Sequence, residues 1–206
     1  MKNLLFALLA VTVLFVSCQE EELIPEETLA PPQYLTWSEG DWWVYESSLY
    51  NYYQGDTVVT SVDTTFALAD TAINGQLYRT LSRRLYSGGN LYLRDSSGYV
   101  VEPAGHILYS YTNFTDTLLN LLTPSGGGWF AQMVEDPAPT ITPAGVFNTI
   151  NFKSTHYHFT TACGDSIYYS DRQFAEDIGL IRMTYHYSAP GPCSVHYRTL
   201  VDYHVQ

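Results

Sequence analysis

Four histidines carry the spacing in this chain that comes closest to a metal site. His156 and His158 form an H-x-H, which puts both on one face of an extended segment. His186 and His196 lie symmetrically about residue 191, the centre of a Pro/Gly-rich turn, and are expected to face each other across a hairpin. Asp202 and His204 follow on the same polar face. A His–His pair of this kind holds zinc or copper where a third ligand is near. A solvated strand face of Tyr and His is the plainer reading, and no metal or other cofactor is expected.

Hydrolytic chemistry has less support. The chain lacks G-x-S-x-G, H-E-x-x-H and S-x-x-K. Ser125 precedes three glycines and has no evident base, so it reads as loop. Gly126–Gly128 are not followed by a lysine and a helix, so they do not cradle phosphate. The acidic residues are scattered through turns, where they bond their own backbone. The chain is therefore expected not to be an enzyme. It carries 21 acidic against 9 basic residues, a formal charge of −12. Nucleic-acid phosphates need clustered Lys and Arg, so nucleic acid is excluded as a partner.

The cysteines are more informative. Residues 4–16 are apolar apart from Thr12. That is roughly 13 residues against the about 20 that span a bilayer, as in a signal peptide. The following L-F-V-S-C (residues 14–18) resembles the lipobox of bacterial lipoproteins, which implies cleavage before Cys18 and lipid on its thiol. Two acyl chains or more make such an anchor stable. Of the three cysteines this leaves Cys163 and Cys193. An exported chain matures in an oxidising compartment, so these two are expected to form a disulfide, with two free buried thiols as the alternative. The chain thus divides into a leader (1–17), a stalk (18–36) and one domain (37–206). The stalk, rich in Glu and Pro, cannot bury enough to fold. Its acidic run also resembles the export signal of Bacteroidota surface lipoproteins. That implies an outer-membrane lipoprotein exposed at the cell surface, with a periplasm-facing one as the alternative.

Eighteen tyrosines and abundant Thr, Val and Ile favour strands. Turn signals recur at Gln54-Gly55-Asp56, Asn74-Gly75, Ser87-Gly88-Gly89 and Ser96-Ser97-Gly98. The best helical candidate, Asn113–Leu122, is short. The expected class is all-β: an antiparallel meander forming a strongly curved sheet, half-barrel or clam-like, with few or no helices. In the last two strands the odd positions (Ile181, Met183, Tyr185, Tyr187; Val195, Tyr197, Val201, Tyr203, Val205) are expected to face the core. Arg182, Thr184, His186, His196, Arg198, Asp202 and His204 are expected to face water. Adjacent Trp42 and Trp43 must point to opposite faces. With Trp37 and Trp129 they either line a groove for sugar or lipid or fill the core. The turns holding Cys163 and Cys193 should share one edge of the meander, two strands or roughly 10 Å apart. Bridging needs Cα atoms within about 7 Å, so the loop at 189–194 would fold back.

Three segments carry a resemblance: Gly40–Tyr45 (G-D-W-W-x-Y), Thr142–Asn151 (TPAGVFNTIN) and Phe174–Tyr185 (FAEDIGLIRMTY). Together they resemble an uncharacterised family of secreted Bacteroidota lipoproteins. The resemblance implies a curved antiparallel sheet related to lipoprotein-carrier half-barrels, and no activity. The Cys163/Cys193 pair departs from the pattern. Independently of it, Pro143-Ala144-Gly145 reads as a tight turn and Gly179 as a bulge or close approach. The expected function is a lipid-anchored, non-catalytic binding or accessory module of the envelope, with an apolar, glycan or protein ligand. A structural or assembly factor of the outer membrane without a small ligand is the alternative, and an envelope hydrolase is less favoured. An open cavity within the sheet would support the first and a filled interior the second.

Non-reducing peptide mapping by mass spectrometry, on protein made in a Bacteroidota host, should give an acylated N-terminal peptide starting at Cys18. It should also give a peptide joining Cys163 to Cys193. An N-terminus upstream of Cys18, or two free thiols, would refute the corresponding expectation.

Overall fold

β-Branched and aromatic side chains pack best on a pleated surface, and every regular element among the described residues is a strand. The computed structural model describes residues 34–52, 54–82, 89–122, 127–157, 167–186 and 194–206. Cys18, His158, Cys163 and Cys193 lie outside them. Pro32–Gln206 form one compact unit.

The first half of the chain supplies β1 (Trp42–Asn51), β2 (Asp56–Ile73), β3 (Gln76–Leu81), β4 (Leu91–Ser96), β5 (Tyr99–Val101) and β6 (Ile107–Ser110). The second supplies β7 (Thr117–Leu122), β8 (Gly128–Glu135), β9 (Thr140–Thr142), β10 (Gly145–Phe147), β11 (Ile150–Tyr157), β12 (Ile167–Ala175), β13 (Gly179–His186) and β14 (Ser194–His204). Each half is an antiparallel meander, and the last strand returns to pair with the first. The resulting twelve-stranded order is β6-β5-β4-β3-β2-β1-β14-β13-β12-β11-β8-β7, with β9 and β10 as a separate ribbon. The outermost strands β6 and β7 approach each other without pairing. The expected strongly curved sheet is therefore present, and it is nearly closed into a barrel.

Local chemistry sets the turns. Asn74 and Gly75 both have positive φ (52° and 76°) and join Ile73 to its partner Gln76. That is the backbone of a two-residue hairpin whose twist matches the strands. Ser97 (56°) and Gly98 (88°) do the same between β4 and β5. Pro143-Ala144 form the two-residue tip between paired Thr142 and Gly145.

Asp41 is fully buried at the start of β1. One carboxylate oxygen accepts from the Ser38 amide (2.8 Å) and the other from the Gln206 amide (3.2 Å). Its own carbonyl accepts from Ala67 (2.8 Å). The Asp of G-D-W-W thus fastens the beginning of the first strand to the end of the last.

One expectation needs correction, and one candidate is settled. Asn113–Leu122, the best helical candidate, is not a helix, in line with the expected few or none. The Asn113 side-chain oxygen accepts from the amides of Thr115 (3.2 Å) and Asp116 (3.0 Å), making a turn. Thr117–Leu122 then pair with β8. A short apolar run does not declare its period, and the neighbouring strand decided it.

Ile181 is fully buried, but the expected face pattern breaks in β13, where Ile181 is the extra residue of a bulge opposite Gln173 and Phe174, and again in β14. Tyr45 opposes Leu200 while Val44 opposes Asp202, so Val201 is the extra residue of a bulge. A bulge reverses the alternation on either side of it. Tyr203 and Val205 pack on the core as expected. Beyond the bulge it is Leu200 and Arg198 that are buried, and Arg198 does not face water.

Gly179 sits at the start of β13 with φ of 95°. A Cβ there would lie 3.0 Å from Cζ2 of Trp37. Gly179→Ala should therefore lower stability by about 1–3 kcal/mol through strain and overpacking. Thermal unfolding followed by tryptophan fluorescence measures this, and an unchanged midpoint would refute it.

Candidate functional site: a cavity inside the sheet

Inward-facing side chains from β1, β4, β6, β12, β13 and β14 do not fill the curled sheet. They leave a cavity of about 360 Å³, lined mainly by apolar groups such as Trp37, Trp43, Leu93, Phe174, Leu180 and Met183. That size falls within the range of small-molecule sites, about 300–1,000 Å³.

Aromatic pairs fix its walls. Trp37 meets Trp43 edge to face, with centroids 5.3 Å apart at 68°. Tyr109 of β6 stacks on Phe174 of β12, at 3.9 Å and 22°. Such pairs add modestly to the area they bury. The Tyr45 hydroxyl donates to the Leu180 carbonyl (3.0 Å), and that of Tyr109 to the Tyr34 carbonyl (3.4 Å). Burial drives both phenols well above the usual tyrosine range. For Tyr45 the Arg198 charge opposes this and Asp63 reinforces it. Both rings therefore stay protonated and keep donating at neutral pH.

One ion pair borders the apolar space. Arg198 of β14 reaches across β1 to Asp63 of β2, donating through both terminal nitrogens at 3.1 and 2.8 Å. A third contact runs to Thr65 Oγ1 (3.4 Å), and the guanidinium lies 4.2 Å from the centre of the Tyr45 ring. Each partner's side chain is only 10% exposed. The bidentate fork is the geometry that compensates burial of two charges. At the cavity margin Glu102 faces His106 at 3.6 Å. Arg172 lies over Phe152, with its guanidinium 5.7 Å from the ring centre.

The histidines lie apart from this cavity. The register sets His196 opposite Tyr185 and His186 opposite Val195. The pairing is one residue out from the expected symmetry, so the two histidines are not register partners. His196 stacks on Tyr185 at 4.9 Å, and partial burial lowers its pKa. His156 stacks on Tyr168 at 4.5 Å with planes 5° apart, and its Nε2 is 3.3 Å from Ser170 Oγ. Among the described residues no three His, Cys, Asp or Glu side chains are grouped as a metal would require. The strand ends that carry the two cysteine turns (Tyr157 and Ile167, His186 and Ser194) lie at one edge of the sheet, two strands apart. The cysteines themselves are outside the described residues.

Of the four tryptophans, Trp37 and Trp43 line the cavity. Trp42 lies on the opposite face, stacked on His204 at 6.1 Å, as adjacent strand positions demand. Trp129 stacks on His156 at 6.0 Å. Asp63 and Arg198 escaped sequence reasoning. Nothing in their local pattern reports a bulge, and only the isolation of an arginine in a Tyr- and Val-rich strand hinted at a partner.

The fold and its interior define the class: an antiparallel β-sheet curled around a small apolar cavity. No family model matches the sequence, and no curated protein matches it significantly. Two solved structures match the chain. A Bacteroides fragilis protein, provisionally described as exported and of YmcC-like fold, matches with a TM-score of 0.50 at 12% identity, over 84% of this chain and 99% of its own. A provisionally described lipoprotein of Parabacteroides distasonis matches with a TM-score of 0.42 at 11% identity, over 85% and 100%. At such identity the first likeness concerns the fold alone.

Asp63→Ala would leave the Arg198 guanidinium buried without its carboxylate, and should cost about 3–5 kcal/mol. Replacing the pair together, Asp63→Leu with Arg198→Met, should recover most of that loss. Denaturant unfolding of the two variants checks this. Equal destabilisation by both would show that the pair is not coupled.

Proposed function

We propose that this chain is a lipid-anchored, non-catalytic binding module of the bacterial envelope, whose curled sheet takes up an apolar ligand. The carrying observation is the cavity. A purely structural sheet of this composition would be expected to fill its interior with its eighteen tyrosines, whereas apolar walls here enclose open volume. The non-catalytic reading draws support from the cavity lining. Among the described residues it contains hydroxyls (Tyr45, Thr65, Ser82, Tyr109) and one carboxylate, Glu102, but no imidazole.

The envelope address rests on the sequence. The lipobox at residues 14–18 implies the anchor, and the Glu-rich segment after Cys18 favours the outer membrane and its outer face. An extended stalk would hold the domain clear of the bilayer, with its cavity accessible to a membrane-derived or soluble ligand.

Mature protein carrying Cys18→Ser should bind a polarity-sensitive apolar dye such as 1-anilinonaphthalene-8-sulfonate or N-phenylnaphthylamine at a single saturable site. Leu108→Trp, which fills space at the cavity wall, should weaken binding about tenfold, by roughly 1.4 kcal/mol, without lowering the unfolding midpoint. No saturable binding by the parent protein would overturn the ligand reading in favour of a structural or assembly role.

A further inference from the structure

The charges inside the curled sheet run against those of the chain. The sequence carries 21 acidic against 9 basic residues. Yet the register places Phe152, Arg172, Met183 and Arg198 in one row across β11, β12, β13 and β14. Phe152 is buried in the core and the other three line the cavity, so this row belongs to the inner face. Two residues further toward one end of the sheet, the same face carries Ser154, Ser170, Tyr185 and His196. The flanking strands β8 and β1 add no carboxylate to either row. Across six strands the two rows thus hold two arginines and no acidic residue.

The two arginines differ. Arg198 is 8% exposed and committed to Asp63 through both terminal nitrogens. Arg172 is exposed, lines the cavity and lies over the Phe152 ring. A guanidinium presents five donors in a fork that fits a carboxylate or a phosphate. Glu102, the carboxylate of the lining, faces His106 at 3.6 Å. The net charge of −12 repels anions from the molecule at large. An acid-free strip beside an apolar cavity is a place where that repulsion is relieved.

We propose that the ligand is an amphiphile with an apolar chain and an anionic head, a carboxylate or a phosphate, which seats its chain among Leu93, Phe174, Leu180 and Met183 and its head on Arg172. This rests on the cavity being a ligand site, as proposed above. Attraction between opposite charges is stronger at a margin partly shielded from water than at an open surface. Asp63 satisfies Arg198, so the deeper arginine does not draw the head inward and the head stays at the margin.

Four probes of equal chain length separate the possibilities: decanoate, decyl phosphate, methyl decanoate and decyltrimethylammonium. Each is titrated at neutral pH, below its micelle concentration, into mature protein carrying Cys18→Ser, and read by displacement of the neutral dye N-phenylnaphthylamine. At least one anion should bind about tenfold or more tightly than the ester. Which anion binds tighter tells a carboxylate head from a phosphate one, and either order supports the proposal. Arg172→Gln, checked for folding by circular dichroism, should abolish the preference for the anion while leaving ester affinity within about twofold. Arg172→Lys should keep part of that preference. Equal affinity of anions and ester for the parent protein, or tightest binding by the cation, would overturn the anionic head while leaving the apolar-ligand reading intact. An undiminished preference in Arg172→Gln would overturn the assignment to Arg172. Failure of all four probes and of the dye would instead remove the ligand reading itself. The parent-protein series decides the head charge even if the Arg172 variants do not fold.

Discussion

The pairing of the first strand with the last is the constraint on which this structure depends. Each half of the chain is a meander that could form from local turns alone. Ten residues of β1 paired along β14 join the halves into one twelve-stranded sheet. Without that ladder the two halves would be separate sheets with their apolar faces exposed. Asp41 reinforces the junction by holding the Ser38 and Gln206 amides in one buried carboxylate. Closure of this kind is slow to find, because its contacts are the most distant in sequence, but once made it removes two edges from solvent.

The same ladder creates the cavity's polar border. The bulge at Val201 turns Leu200 and Arg198 inward, and Asp63, two strands away, becomes the arginine's partner across β1. Tyr45 lies between, its ring under the guanidinium and its hydroxyl on the Leu180 carbonyl. A single extra residue in one strand thus moves a charge from an expected wet face to the interior and obliges a second charge to follow it. The cavity persists because rigid aromatic pairs, Trp37 with Trp43 and Tyr109 with Phe174, set wall positions that flexible side chains would have collapsed.

Much of the fold was legible in the sequence because its signals are local. Asn74-Gly75 dictated a hairpin through backbone geometry, and Trp42 beside Trp43 dictated opposite faces through the pleat. Asn113–Leu122 was ambiguous because its five apolar residues fit either period, and pairing with β8 chose the strand. The histidine pair failed for a related reason. The symmetry of the 186–196 turn was read to the nearest residue, and a shift of one sets His186 against Val195. The tryptophans of the candidate site could be nominated from composition, but Asp63 and Arg198 could not be paired across a bulge that leaves no mark in the sequence.

By itself, the sequence determined the all-β class and the positions of the tight turns. Each follows from covalent geometry, residue preference or a short contiguous motif. The tertiary structure alone decided that β1 would meet β14, that Arg198 would be buried against Asp63, and that the sheet would curl around open space. Those outcomes depend on register, bulges and packing between residues more than a hundred positions apart, and such balances become defined only when both partners are in place.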